Sequence, residues 1–313
     1  MDKSPGGGLP VRAALHPTGL YLMLRDIAPR ELHDPFMQQT VVRIASPDRV
    51  VHVPRSDLGK AAPGSAPAGI IFHVSRCGST LLSQLLKQHE NLVVYGEPLP
   101  VSEILLPPHT WPRHDLVGAL RSLGAAFAAH ARGPYVLKLT SWNTLFCDML
   151  AEAFPTSPWV FNYRDPVEVG VSLLKEPAGW FAKDSEPYHR LVRVIDPLGV
   201  SRSSEEDIAR LYGAFCTAAL RLNAGQGKLV SYADLPAAAW DIVAPHFSLA
   251  LDGAQKERMA DAARTYSKAP RGEAAIFESD TEAKQSAASP ALRRAIDTYA
   301  RPALDALQAR TAS

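Results

Sequence analysis

The stretch His73-Val-Ser-Arg-Cys-Gly-Ser-Thr80 decides the fold of this 313-residue chain. It overlaps the end of Gly69-Ile-Ile-Phe-His-Val74, a short apolar run rich in β-branched residues, which predicts a buried parallel strand. Leucines at positions 81, 82, 85 and 86 then form one apolar face and predict a helix over residues 79–88. A strand, a tight turn and a helix in this order present backbone N–H groups to an anion.

The residues of this turn that would contact an anion are Arg76, Cys77, Gly78, Ser79 and Thr80. Hydroxyl groups, free N–H groups and the helix dipole all favour an anion at the start of a helix, and an arginine adds a fork-shaped donor. The pattern is not a Walker A loop, because Ser79 rather than lysine follows Gly78. A nucleotide kinase is therefore disfavoured. An ordinary capped helix is the alternative for this motif taken alone.

A second segment, Tyr163-Arg-Asp-Pro-Val-Glu-Val-Gly-Val-Ser172, has the same arrangement after another apolar run. Arg164 and Ser172 are eight residues apart, so they reach one phosphate only if the helix folds back over the strand end. The structural alternative is a surface arginine paired with Asp165 or Glu168 and a serine that faces solvent. Two such turns in one domain indicate a ligand with two separate phosphate-like groups.

Together the two segments resemble the nucleotide-binding segments of the PAPS-dependent sulfotransferases, where PAPS is 3′-phosphoadenosine-5′-phosphosulfate. The likeness extends over most of residues 69–290. It implies an α/β, three-layer P-loop-type fold with a central parallel sheet flanked by helices. It also implies transfer of a sulfonate from PAPS to a hydroxyl or amine, with 3′,5′-adenosine bisphosphate as product. By this resemblance Arg76 to Thr80 hold the 5′-phosphosulfate, and Arg164 and Ser172 hold the 3′-phosphate.

The resemblance implies further contacts with the donor. Tyr232 stands in a Tyr-x-Asp-Leu element and would lie near the adenine, with a half-buried structural tyrosine as the alternative. Ser267 and Lys284 are implied by likeness to the tyrosylprotein branch of the family. The cytosolic branch carries Arg-Lys-Gly in this region, and this chain has only the Arg and Gly. Lys268 and Arg271 therefore remain alternatives.

Glu97 is the candidate general base. It follows a predicted strand over residues 91–95, and the ends of parallel strands converge on one crevice, so we expect it near Arg76. In tyrosylprotein sulfotransferases a glutamate at the matching position is the proposed base, which implies that Glu97 takes the acceptor proton. Cytosolic relatives use a histidine, and His109 and His114 are the alternatives. A carboxylate that only complements a helix dipole is the structural alternative.

Lys138 is the candidate cation. It interrupts the apolar strand Tyr135-Val-Leu-Lys-Leu139, where a charge without a partner is costly. A cation aimed at the sulfonate or at the leaving phosphate explains this position, and so does structural pairing with a carboxylate. The predicted catalytic set is therefore Glu97, Lys138 and Arg76. His73, inside the first strand, is predicted to be a packed core residue.

Charge and cysteine content limit the expected binding partners and the expected cellular compartment. The net charge is +1, so no overall field directs the chain to nucleic acid or to a membrane. Cys77, Cys147 and Cys216 are scattered and odd in number, which argues against a disulfide framework and favours a reducing cytoplasm. A reactive Cys77 in the anion loop is a lesser hypothesis.

No metal-site pattern, secretory signal or apolar stretch of membrane-spanning length is found in the sequence. We therefore expect a cytoplasmic enzyme without a metal, without a nucleic-acid partner and without membrane association. The expected acceptor is a small molecule or a peptide.

A run rich in Pro, Gly and Ala over residues 59–69 predicts a domain boundary. It divides a small N-terminal α+β appendage and linker, residues 1–68, from the nucleotide-binding domain, residues 69–313. Within the appendage we predict a helix over residues 19–32 and a strand over residues 39–44. After the boundary, strands and helices alternate, which is typical of a parallel sheet with crossover helices.

Residues 175–200 form an irregular stretch that we predict to be a lid on the acceptor side. Trp180, Phe181 and Tyr188 would be available there for contact with the acceptor. The alternative is a plain surface excursion packed by its own aromatic residues.

Two other functions compete with sulfonate transfer. One is a P-loop kinase that uses ATP and Mg²⁺ and recruits Asp165 to the metal. The other is a nucleotide-binding module that has lost catalysis. Intact Glu97 and Lys138 argue against the second, because a binding module needs neither.

Overall fold

The chain begins with a small antiparallel sheet and one helix. The structure is a computed structural model that describes residues 7–60, 65–196, 202–264 and 281–311. The sheet has the order β1-β2-β3. Its strands and the helix α1 are β1 Leu9–His16, β2 Gly19–Arg25, α1 Met37–Arg43 and β3 Asp48–Pro54.

Two predictions for this region are wrong. Residues 19–32 do not form a helix, because β2 occupies their first part and Leu20, Leu22 and Leu24 alternate into the core. Residues 39–44 do not form a strand, because most of this stretch belongs to α1. Tertiary packing of one face of α1 overrides the strand preference of its β-branched residues.

Five parallel strands form the central sheet, in the order β5-β6-β4-β7-β8. β4, β5 and β6 correspond to the strands predicted over residues 69–74, 91–95 and 135–139, and β7 corresponds to the apolar run that precedes Arg164. All carboxyl ends lie at one edge, so the turns that follow the strands share that edge. The strands are β4 Gly69–His73, β5 Val93–Gly96, β6 Tyr135–Lys138, β7 Trp159–Tyr163 and β8 Gly227–Ser231.

Helices cover both faces of the central sheet. In β4, Ile70 and Phe72 pack into one hydrophobic core, whereas Ile71 packs into a second core on the opposite face. The predicted α/β fold with a parallel sheet flanked by helices is confirmed. The α-helices are α2 Ser79–Leu86, α3 Leu99–Leu105, α4 Arg113–Ala131, α5 Cys147–Ala153, α6 Pro166–Lys175, α7 Glu186–Ile195, α8 Ser204–Ala219, α9 Ala244–His246, α10 Gly253–Arg264, α11 Thr281–Ala287, α12 Pro290–Ala295 and α13 Arg301–Thr311.

The N-terminal sheet shares its core with the main domain. Leu9 and Leu20 are fully buried in the same cluster as Ile104 of α3 and Phe127 of α4. The backbone N–H of Ala13 in β1 also donates to the Glu103 carboxylate at 2.6 Å. Because one core serves both parts, we expect the described chain to unfold as one cooperative unit.

Leu20→Ala tests this shared core. Removing a fully buried leucine from β2 is expected to lower the free energy of unfolding by about 2–5 kcal/mol. All five tryptophans lie beyond residue 69. Tryptophan fluorescence and far-UV circular dichroism should therefore shift together, whereas Val50→Ala, at a 60% exposed position, changes little. An unchanged fluorescence transition in Leu20→Ala would show that the N-terminal part folds separately.

Candidate active site

The turn between β4 and α2 has the geometry of an anion-binding loop. Gly78 is the N-cap of α2 and has a left-handed backbone with φ 81°. A Cβ at Gly78 would lie 2.8 Å from Cδ2 of Tyr232, so this turn requires glycine. The first N–H groups of α2 have no partner within the helix, and they lie at the carboxyl edge of the sheet.

Arg76 lies in the same loop and is also strained, with φ 58°. Its Nη2 donates to the backbone carbonyl of Glu176 at 2.6 Å and lies 2.8 Å from the Glu176 carboxylate. Its Nε is buried and has no hydrogen-bond partner among the described residues. The guanidinium therefore keeps a donor for a ligand.

Glu97 and Lys138 form an ion pair where β5 and β6 end. The Glu97 N–H donates to the Lys138 carbonyl at 2.6 Å, and Nζ of Lys138 contacts Oε1 of Glu97. The Lys138 side chain is 1% exposed and that of Glu97 is 27% exposed. The pairing with a carboxylate that the sequence left open is therefore present, and the partner is the candidate base itself.

One cavity of about 370 Å³ brings these groups together. The anion loop, the Glu97–Lys138 pair and the segment after α6 all contribute to it, so Arg76 and Glu97 share one site as the sequence predicts. The lining residues are Pro35, Phe36, Gln39, His73, residues 75–80, Glu97, Lys138, Ser141 and residues 176–180.

Sequence reasoning missed the wall that the N-terminal part contributes. The Phe36 ring lies 5.3 Å from Nζ of Lys138, which is cation–π range. Nζ of Lys87 donates to the Asp34 carbonyl at 2.5 Å and holds this segment against α2. No local pattern marks these residues, because their contacts join segments about 50 to 100 positions apart.

Arg164 lies buried just after β7. Its Nε is 2.5 Å from Oε2 of Glu168, and its guanidinium stacks over the Tyr232 ring at 3.8 Å from the centroid. The Asp165 carboxylate caps α6 by accepting from the N–H of Val167 at 2.9 Å. The pairing of Arg164 with Glu168 matches one structural alternative, but the arginine is buried rather than on the surface.

Tyr232 connects the two candidate loops. Its face contacts the Arg164 guanidinium, and the edge of its ring lies against Gly78. The two turns, far apart in sequence, are therefore separated by one aromatic ring. Neither Arg164 nor Tyr232 lines the 370 Å³ cavity itself.

The other predicted donor contacts lie further from the cavity or outside the described residues. Ser172 is half-buried on α6, and α11, which carries Lys284, packs against α6. Neither side chain lines the cavity. Ser267, Lys268 and Arg271 are outside the described residues.

Among the three candidate bases, Glu97 alone lines the cavity. His109 packs its ring edge-on against Phe146, with 5.8 Å between centroids, and burial lowers its pKa. His114 is 79% exposed and lies 3.2 Å from Asp115. The geometry therefore favours the carboxylate over either histidine.

His73 is buried, as the sequence predicts. Its Nδ1 lies 2.7 Å from the Val74 carbonyl, and its Nε2 lies 2.7 Å from the Leu139 carbonyl. Burial, with a contribution from the charge of Lys138, lowers the pKa of His73 to about 4. A neutral ring donates to only one of these carbonyls.

The predicted lid contributes one aromatic residue rather than three. Trp180 lines the cavity, but Phe181 and Tyr188 are buried and pack edge to face at 5.5 Å. The Tyr188 hydroxyl donates to the Asp207 carboxylate at 2.5 Å. Phe181 and Tyr188 are therefore unavailable to an acceptor, and that part of the prediction is wrong.

The hypothesis of a reactive Cys77 is also wrong. Its side chain is fully buried, and Sγ donates to the Val74 carbonyl at 2.8 Å. Burial raises the pKa of the Cys77 thiol to about 12. Cys77 can therefore reach a ligand in the loop through its backbone only.

Within residues 7–60, 65–196, 202–264 and 281–311, no group of His, Cys, Asp and Glu has the arrangement of a metal site. In the same ranges no helix combines the length and the apolar character needed to cross a membrane.

Among known proteins, the chain is similar to several solved structures. Neither a protein-family model nor a curated protein matches the sequence. The chain is similar to sulfotransferase STF1 from Mycobacterium tuberculosis, with 17% identity, TM-score 0.40, and coverage of 66% of this chain and 75% of that chain. It is similar to sulfotransferase STF9 from Mycobacterium avium, with 13% identity, TM-score 0.43, and coverage of 78% and 79%. It is also similar to a sulfotransferase from Alicyclobacillus acidocaldarius, with 14% identity, TM-score 0.42, and coverage of 78% of this chain and 95% of that chain.

Thiol labelling tests the buried state of the loop. Burial raises the pKa of Cys77 and of Cys147 to about 12 and also raises that of Cys216. Because the thiolate is the reactive form, iodoacetamide at pH 8 should label none of them in the folded protein and all three in urea. Mass spectrometry counts the adducts. Rapid modification of Cys77 in the folded protein would contradict this arrangement.

Proposed function

We propose that this chain is a sulfotransferase that moves a sulfonate from PAPS to a hydroxyl, or to an amine, of a small-molecule or peptide acceptor. The observation that carries the proposal is the single cavity in which a strand-to-helix anion loop meets an ion-paired carboxylate and lysine. Sulfonate transfer requires positioning, stabilisation of charge and removal of the acceptor proton. The cavity contains a group for each requirement.

The proposed donor has two anionic ends, and each is assigned to its own set of residues. The Arg76–Thr80 loop would hold the 5′ end through the N–H groups that open α2 and the unpartnered Nε of Arg76. PAPS supplies the sulfonate and the leaving phosphate. We assign Arg164 and Ser172 to the 3′-phosphate and Tyr232 to the adenine. Ser267 and Lys284 would make further contacts with the donor.

Three residues of the cavity divide the chemical work. Glu97 accepts the proton of the acceptor, because its carboxylate lines the cavity and is partly exposed. Lys138 and Arg76 place positive charge beside the loop, where negative charge develops on the donor side. Phe36 and Trp180 add aromatic surface to the cavity wall, which would help to keep water from the reacting groups.

The competing functions lack a supporting observation. Asp165, which a kinase would recruit to Mg²⁺, is occupied as the cap of α6 and pairs with Arg301 at 3.1 Å. A module for binding alone has no use for a carboxylate and a lysine inside the cavity. The three cysteines are free, buried thiols, which supports a reducing cytoplasm as the setting. We propose no nucleic-acid or membrane partner.

Glu97→Gln is expected to reduce sulfonate transfer by about 10²–10⁴-fold, because the base is removed. Affinity for 3′,5′-adenosine bisphosphate should stay nearly unchanged. Transfer is measured with labelled PAPS against pooled metabolites by mass spectrometry, and binding is measured by calorimetry.

Glu90→Gln, at a 67% exposed carboxylate, is the matched control, and Glu97→Asp retains the charge beside Lys138 if the glutamine variant is unstable. Wild-type turnover by Glu97→Gln would exclude Glu97 as base. Tight Mg²⁺-dependent binding of ATP without binding of the bisphosphate would replace the sulfotransferase proposal by a kinase.

The Arg164→Ala/Glu168→Gln double variant removes the proposed 3′-phosphate ligand without leaving a buried carboxylate unpaired. We expect bisphosphate affinity to fall tenfold or more, about the effect of one charge-assisted hydrogen bond. Glu168→Gln alone is the control and should bind at least as tightly as the wild type. Equal affinity of the double variant and this control would show that Arg164 does not contact the nucleotide.

A further inference from the structure

Arg76 already has a partner that resembles the ligand proposed for it. Glu176 supplies a carbonyl oxygen at 2.6 Å and a carboxylate oxygen at 2.8 Å to the guanidinium. These are the kinds of contact that a phosphate or sulfonate oxygen makes with arginine. Nε of Arg76 has no partner among the described residues, so a donor anion that uses Nε and also takes Nη2 would compete with Glu176 for the second nitrogen.

All four charged side chains that line the cavity are paired. Lys138 is paired with Glu97 inside the protein, and Arg76 is paired with Glu176 at the cavity mouth. Breaking the first pair would leave a lysine of 1% exposure without its counter-ion, which is strongly unfavourable. The Glu176 side chain is 77% exposed, so breaking its carboxylate contact with Arg76 costs little, and only the hydrogen bond to the Glu176 carbonyl has to be exchanged for one to the anion. An incoming anion gains its cation most easily by displacing Glu176.

The position of Glu176 connects this pair to the acceptor side. Glu176 directly follows α6, and residues 177–180 continue along the cavity wall as far as Trp180. The next residue, Phe181, is anchored in the core, whereas a Cβ at Gly179 would meet only open space. A short segment, residues 177–180, therefore joins Glu176 to Trp180 on the cavity wall.

We propose that Glu176 is a positioning residue for the donor: it holds Arg76 in the free enzyme, and it gives up Arg76 to the 5′ end of the donor. Its release moves residues 177–180 and completes the acceptor wall at Trp180. This inference rests on the proposed function.

Glu176→Gln tests the competition. Removing the competing charge should tighten binding of 3′,5′-adenosine bisphosphate by about two- to fivefold, the range of an exposed ion pair. The KM for PAPS should fall by a similar factor while kcat stays within about twofold. Glu186→Gln, at a carboxylate of 71% exposure that pairs with Arg190, is the matched control and should leave affinity unchanged.

Tryptophan fluorescence tests the movement. Saturating bisphosphate should change the emission of the wild type, and Trp180→Phe should abolish that change while calorimetry still reports binding. The free Glu176→Gln variant should already emit more like the saturated wild type. A purely structural Glu176 would not produce this spectral shift.

The outcomes separate the inference from the proposed function. Equal or weaker bisphosphate affinity in Glu176→Gln, with normal binding by the wild type, overturns the role of Glu176 alone. A bisphosphate-induced emission change that survives Trp180→Phe overturns the coupling to the acceptor wall. A wild type that binds no bisphosphate overturns the proposed function, and the inference falls with it.

Discussion

The ion pair between Lys138 and Glu97 is the interaction on which the candidate site depends. A lysine at the end of a central strand, with 1% of its side chain exposed, is tolerated because a carboxylate from the neighbouring strand end compensates its charge. The same pair places the Glu97 carboxylate in the cavity, and Phe36 covers the ammonium from the N-terminal side. The same ion pair therefore compensates the buried charge of Lys138 and positions the carboxylate that we propose as the base.

Two strained backbone positions lie beside this contact. Of the four described non-glycine residues with positive φ, Arg76 at 58° and Glu97 at 50° line the cavity, whereas Arg132 and Ser248 do not. Such conformations cost on the order of 1–3 kcal/mol each and persist where the surroundings hold them. Here Glu176 holds Arg76, and Lys138 holds Glu97 through backbone and side chain. The loop is thus shaped for a ligand before one arrives.

The central sheet could be predicted closely because its strands are buried on both faces, so each reads as a continuous apolar run between turns. The N-terminal part could not. In β2, Leu20, Leu22 and Leu24 alternate as in a strand, which contradicts the helix predicted over residues 19–32. In α1 the β-branched residues favoured a strand, yet Met37 and Val41 pack as one helical face. Burial of that face therefore favours the helix over the strand.

The sequence by itself determined which side chains stand at the ends of parallel strands, namely Arg76, Glu97, Lys138 and Arg164. Parallel strands must end at one edge, so these residues had to approach each other. Only the tertiary structure decided their partners: Glu176 for Arg76, and a wall from residues 35–39. Periodicity and spacing describe neighbours along one segment, whereas these pairings join distant segments through packing that no local pattern encodes.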